Sequence, residues 1–102
     1  MLLSEAILKG CELYPNQAHG QYFDEEGSAC VLGAAAIMIE DKPFNFFDFV
    51  TLYLSQTFPQ LEQIEYSSPN IRADLWRVIT KLNDECRWTR EQIAAWLAER
   101  GE

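Results

Sequence analysis

Ala29 to Ile39 reads ACVLGAAAIMI, eleven residues in a row without a polar side chain, framed by Gly27-Ser28 on one side and Glu40-Asp41-Lys42-Pro43 on the other. At about 1.5 Å per residue this run falls well short of the roughly 30 Å apolar layer of a bilayer, which makes protein interior its natural surroundings. Leu32 and the alanines 34–36 favour helix over strand, although Val31, Ile37 and Ile39 taken alone would suit a sheet. Ser28 is the expected cap, and Pro43 with the charged residues before it is the expected stop. The reading is a central helix over 29–40. Being apolar all round, it has to be covered all round. Gly33 and Ala34 to Ala36 let another backbone approach closely while Leu32, Ile37 and Met38 fill the space beside them. Gly33→Leu is therefore expected to overpack the centre, at about 1–3 kcal/mol or more.

Upstream, Leu3, Ile7, Gly10, Cys11 and Tyr14 recur at near-helical spacing and predict an amphipathic helix from about Leu3 to Leu13, ended by Pro15. Between it and the central helix runs YPNQAHGQYFDEEG, fourteen residues where packed helices usually need about 2–8. Gln21-Tyr22-Phe23 and Ser28-Ala29-Cys30, on either side of the turn-like Asp24 to Gly27, allow one short β-ribbon there.

Downstream, residues 44–58 (FNFFDFVTLYLSQTF) leave little room for a polar face. They read as a second largely buried helix, capped by Asn45 and closed before Pro59, with strand as the alternative. Pro59 to Pro69 reads as a connecting segment with a helical turn. From Pro69 at a first helical position, Ile71, Leu75, Val78, Ile79 and Leu82 trace an apolar stripe that Asn83-Asp84 ends. The last helix carries its own markers: Thr89 and Gln92 at capping-box spacing, Trp88 and Ile93 at the staple positions, Gly101 at the stop. The expected fold class is mainly α: one domain over residues 1–102, a compact bundle of about five helices around the apolar 29–40 helix, with a short β-ribbon before it.

The composition narrows the function classes. Eight basic and sixteen acidic residues give a net charge of −8, and phosphate backbones are held largely by clustered Lys and Arg, so direct binding of nucleic acid is not expected. No run is long enough to span a membrane, and no membrane association is expected. Cys11, Cys30 and Cys86 are widely spaced, with no secretory leader before them, which suits reduced thiols in the cytoplasm.

One constellation has the makings of an active site. Cys30 at a helix N-terminus would feel the positive end of the dipole, His19 would serve as base, and Asn83 or Asp84 would orient the histidine; the chemistry would be that of a thiol-dependent hydrolase or transferase. The plainer alternative is a free cysteine packed as a small buried hydrophobe. Cys11, His19, Cys30 and Cys86 match the ligand number of a zinc site, yet the close pairs typical of such sites are missing, and neither a metal nor another cofactor is expected. The balance leans away from an enzyme.

The better-supported candidate is a binding site on the connection from Tyr14 to Gly27, built from Gln17, His19, Gly20, Tyr22 and Phe23. Ordering a loop residue costs roughly 1–2 kcal/mol in backbone entropy, so a merely connective loop would be shorter. Its amides, imidazole and aromatic rings suit an interface. The alternative is that Tyr22 and Phe23 fold back over the central helix while the polar groups satisfy the loop's own backbone.

The residues QAHGQYF, ACVLGAAA and LNDECRWTREQIAAWLAERG resemble those of an uncharacterised family of small bacterial and phage-borne proteins, known only as a domain of unknown function. The shared pattern includes Tyr14-Pro15, Gln17, Gly20, Tyr22, Phe23, Cys30, Leu32-Gly33-Ala34 and Leu82-Asn83-Asp84 before a capped final helix. It covers the first forty and the last thirty or so residues and fades over 41–70. Some members of that family carry Cys-x-x-Cys in the middle stretch, where this chain has Ser67-Ser68. The resemblance implies a fold and a set of shared residues, and no activity. The expected function is therefore a protein-binding or regulatory module with an unidentified protein partner, in the setting of a mobile-element accessory protein. The thiol enzyme on Cys30 and His19 is the alternative, and an acidic mimic of nucleic acid that blocks a DNA-binding protein is the second. Self-association through the aromatic 44–58 segment is a further expectation.

Overall fold

Helix α1 (Leu3–Leu13) follows its predicted stripe: Leu3, Ile7 and Gly10 are buried while Glu5, Lys9 and Glu12 face water. The computed structural model describes residues 1–37, 53–68 and 71–102. Helix α2 (Val31–Ile37) is buried at every position, as an all-apolar helix must be. It begins two residues later than expected, because the backbone of Ala29 and Cys30 is engaged elsewhere: Ala29 N–H donates to Asn16 C=O at 3.0 Å and Cys30 N–H to Tyr22 C=O at 2.9 Å. The cap differs accordingly. Ser28 lies buried with its own N–H on Asp24 Oδ1, and Cys30 caps α2 instead, its Sγ accepting the Gly33 N–H at 3.3 Å. Residues 38–40 of the expected helix lie outside the described residues.

Two glycines explain how tightly α2 is enclosed. A Cβ on Gly10 would stand 1.9 Å from Ala34 O, and one on Gly33 would stand 2.3 Å from Tyr22 O. One side of α2 thus touches the backbone of α1 and another touches the backbone of the 14–30 connection. That connection forms the expected ribbon only as isolated bridges, Gln17 with Ala29 and Phe23 with Ala29. Its turn is closed by Asp24 Oδ1, which accepts the N–H groups of Glu26 and Ser28.

The helix expected over 44–58 lies outside the described residues up to 52, and with it the surface expected to self-associate. Its end, α3 (53–57), is helical and buries Leu54, with Phe58 buried just beyond. A 3-10 turn follows at Pro59–Glu62. The next stretch corrects the reading from sequence: β1 (Ile64–Ser68) and β2 (Ile71–Asp74) form an antiparallel pair, with Ile64 opposite Asp74 and Ser68 opposite Ile71. The described residues Ile71–Asp74 of the helix expected from Pro69 are strand. Helix α4 (Leu75–Asp84) begins where Asp74 caps it, its Oδ1 accepting the Arg77 N–H at 2.9 Å.

Helix α5 (Arg90–Glu99) has the full capping box, with Gln92 N–H on Thr89 Oγ1 at 3.1 Å and Thr89 N–H on Gln92 Oε1 at 2.8 Å. At its other end Gly101 takes φ 81°, and the N–H groups of Gly101 and Glu102 return to Ala98 and Leu97 C=O, the Schellman closure. Glu102 C=O in turn accepts the Ser4 N–H at 2.9 Å, fastening α5 to the start of α1. The chain is mainly helical. Leu3, Ile7, Leu32, Ile79, Ile93 and Leu97 join in one apolar cluster drawn from α1, α2, α4 and α5. No helix among the described residues is long and apolar enough to cross a membrane.

Candidate binding site

Asn83, in the last turn of α4, is 1% exposed and stands where four segments converge. Its Oδ1 accepts Gln17 Nε2–H at 2.8 Å and Val31 N–H at 3.1 Å. Its Nδ2 donates to Ala18 C=O at 3.0 Å and to Asp84 Oδ1 at 2.6 Å. A side-chain amide offers two donor hydrogens and two lone pairs, and here all are used. The Val31 bond matters because the first N–H groups of a helix have no partner within it. Gln17 spends its second hydrogen on Trp88 C=O at 2.9 Å.

Two further contacts fix the connection. Gly20, at φ 82°, donates its N–H to Asp84 Oδ1 at 3.0 Å; a side chain there would strain the backbone. Arg90, 2% exposed, donates through Nη1 to Tyr14 C=O and, at 3.2 Å, to Ala29 C=O. One guanidinium thereby holds both ends of the connection, while its Nε is buried without a partner among the described residues.

Between the connection and α4 lies a cavity of about 360 Å³. Val31, Leu32 and Cys30 supply its apolar lining together with the rings of Tyr22 and Trp76, and Thr80, Asn83 and Asp84 supply polar groups. The two rings meet edge to face, centroids 6.3 Å apart at 84°. Trp76, Thr80 and Asn83 fall at i, i+4 and i+7, one face of α4.

The Cys30 thiol is pushed up to about 11, first by burial, with the N–H groups of Gly33 and Leu32 pulling the other way, and is neutral at physiological pH. Burial likewise raises Cys11. His19 is exposed and does not line the cavity. Of the residues singled out from sequence, Gln17, Gly20, Tyr22, Cys30, Asn83 and Asp84 are brought together. His19 stays apart on the surface, and Phe23 is half-buried against the Tyr14 ring at 5.5 Å between centroids. No group of three or more His, Cys, Asp or Glu side chains among the described residues is placed to hold a metal ion. Reading the sequence missed Trp76, Thr80 and Arg90. The first two were legible as a face beside the stripe of Leu75 and Ile79, whereas nothing near Arg90 marks it for burial.

No family model, no curated protein and no solved structure matches this chain.

Proposed function

We propose that the chain is a protein-binding module whose interface is the rim of the cavity, where Gly20, Gln21 and Tyr22 of the connection meet Trp76 of α4, together with the exposed His19 that precedes them in the chain. The observation that carries this reading is the edge-to-face corner of the half-buried Tyr22 and Trp76 rings lining a pocket of about 360 Å³. Interfaces rest on a few aromatic anchors within a polar surround. Gln17, among the residues expected to recognise a partner, is committed to Asn83 and Trp88 and acts as a strut. Kinship with the uncharacterised bacterial and phage family is part of the proposal, since many of the shared residues are those that meet around Asn83. A regulatory accessory of a mobile element, working in the reducing cytoplasm that three free thiols suit, is its setting.

The thiol-enzyme alternative asks for an activated Cys30. The neutral, buried thiol and the exposed His19 weigh against it. Alkylation of the native protein with iodoacetamide should label the exposed Cys86 and leave Cys30 untouched until unfolding. A Cys30 that outpaces free cysteine would restore the enzyme.

The binding reading is tested by affinity capture from the native host with the wild-type chain, Trp76→Ala and His19→Ala. A specific partner should be retained by wild type and weakened at least about tenfold, or about 1.4 kcal/mol, by Trp76→Ala at a nearly unchanged melting temperature. Should every variant that loses the partner also lose stability, the connection is a lid on the core and the module reading fails. Capture indifferent to Trp76 and lost steeply with salt would instead favour the acidic mimic.

A further inference from the structure

We propose that the cavity between the connection and α4 receives an arginine side chain of the partner protein, an inference that rests on the module reading and names the chemistry its partner must present. Three observations converge on it. The first is charge: Asp84 is the only Asp, Glu, Lys, Arg or His among the cavity's described lining residues, in a chain whose net charge is −8. The second is unused capacity. Both hydrogen bonds of Asp84, from Gly20 N–H and Asn83 Nδ2–H, arrive at Oδ1, and among the described residues it forms no ion pair. Its Oδ2 is left for a ligand, and the two bonds at Oδ1 hold the carboxylate in a fixed position. The third is the corner of Tyr22 and Trp76, at 84°. A cation is attracted to the face of an aromatic ring.

Guanidinium fits this set better than ammonium. Its plane lies against a ring while its edge offers N–H donors to a carboxylate, and it sheds water more readily than the compact lysine head. Thr80 Oγ1, whose hydrogen is given to Trp76 C=O at 2.9 Å, presents lone pairs and so adds an acceptor to the lining. An anionic ligand would find no cation among these residues. Arg77 and Lys81 of α4 border a separate hollow of about 240 Å³ that Asp84 also lines. Glu85 lines that hollow too and offsets one of the two cations, so the connection side, by Gly20 and Gln21, where no cation lines the cavity, is the approach for a cation.

The test is an NMR titration of the full chain with acetyl-Gly-Arg-Gly-amide and with the same peptide carrying citrulline, the neutral counterpart of arginine. The arginine peptide should shift the Trp76 indole N–H and the Gly20 amide signals saturably, and citrulline should bind at least tenfold more weakly. Asp84→Asn keeps an Oδ1 acceptor for Gly20 and Asn83 while removing the charge, and should weaken the arginine peptide at least tenfold. Equal binding of the two peptides, no saturable shift at either reporter, or undiminished binding by a folded Asp84→Asn chain would each overturn the inference. If Asp84→Asn does not fold, the citrulline comparison on the wild-type chain decides alone. A captured partner that needs Trp76 but is indifferent to Asp84→Asn would remove this inference and leave the module reading standing. Saturable arginine binding without any Trp76-dependent partner would do the reverse.

Discussion

Helix α2 is gripped on two sides by opposite means. On the α1 side the contact is backbone against backbone, Gly10 on Ala34, and nothing polar is exchanged between side chains. Toward α4 and α5, α2 and the connection that leads into it are held by directed hydrogen bonds radiating from Asn83 and Arg90, of which the bond to Val31 N–H reaches α2 itself. The first kind of seam depends on the absence of atoms and tolerates no addition. The second depends on the presence of partners and tolerates no subtraction. The candidate site sits on the second, where Asn83 and Asp84 fix the loop that frames the cavity.

Substitutions should separate the two seams. Asn83→Ala strands the amide of Gln17, the N–H of Val31 and the C=O of Ala18. At roughly 1–3 kcal/mol for each buried group left unpaired, offset in part by relaxation, chemical denaturation should report a loss of about 4 kcal/mol. Gly10→Val places a Cβ against Ala34 O and should lower stability by about 3 kcal/mol, also by denaturation, while leaving the Asn83 contacts in place. If Gly10→Val were neutral, α1 would not press on α2 and the contrast between seams would collapse.

Alkaline pH probes the polar seam at Cys30. Its folded pKa is raised above the ordinary 9.0 to about 11, so the stability it contributes is whole below about pH 9 and is lost as pH climbs through about 11. Unfolding free energies measured across that window should fall by about 2–3 kcal/mol from this group. Cys30→Ser keeps an acceptor for the Gly33 N–H and should remove that share of the loss. The smallest effect belongs to neither seam: Thr89→Ala breaks the capping box of α5 and should lower stability by about 1 kcal/mol, seen as a modest drop in melting temperature.

What could be read from the sequence was what repeats or recurs locally. The stripe of Leu3, Ile7 and Gly10, the all-apolar run and the Thr89-Gln92 pair each state their structure within a few residues, and α1, α2 and α5 stand where those signals put them, α2 shifted at its start. The strand pair at 64–74 was hidden because Ile71 happens to extend the α4 stripe by one turn, while nothing local sets Asp74, the actual cap, apart from the polar residues around it. Asn83 was in view as a helix end and as an orienter of His19, not as a junction of four segments, and Arg90 was not singled out at all. The partners of Asn83 in the connection and at Val31 lie 52–66 residues away, and those of Arg90 lie 61 and 76 away, beyond any periodicity. The candidate site was half legible: its aromatic Tyr22 and its Asp84 were in view, while the inward turn of Gln17 and the contribution of Trp76 emerge only once α4 is packed against the connection.

Arg90 gives the connection a property that bears on how such a chain changes over time. With Tyr14 and Ala29 C=O joined through one guanidinium, the segment behaves as an Ω-loop with a closed neck. The entropy of closing a loop grows only with the logarithm of its length, about 0.6 kcal/mol for each doubling. Residues inserted at the exposed tip of Glu25 and Glu26 would therefore disturb neither the neck nor the helices beneath it. The neck is what separates the part of the molecule that must stay the same from the part that is at liberty to vary.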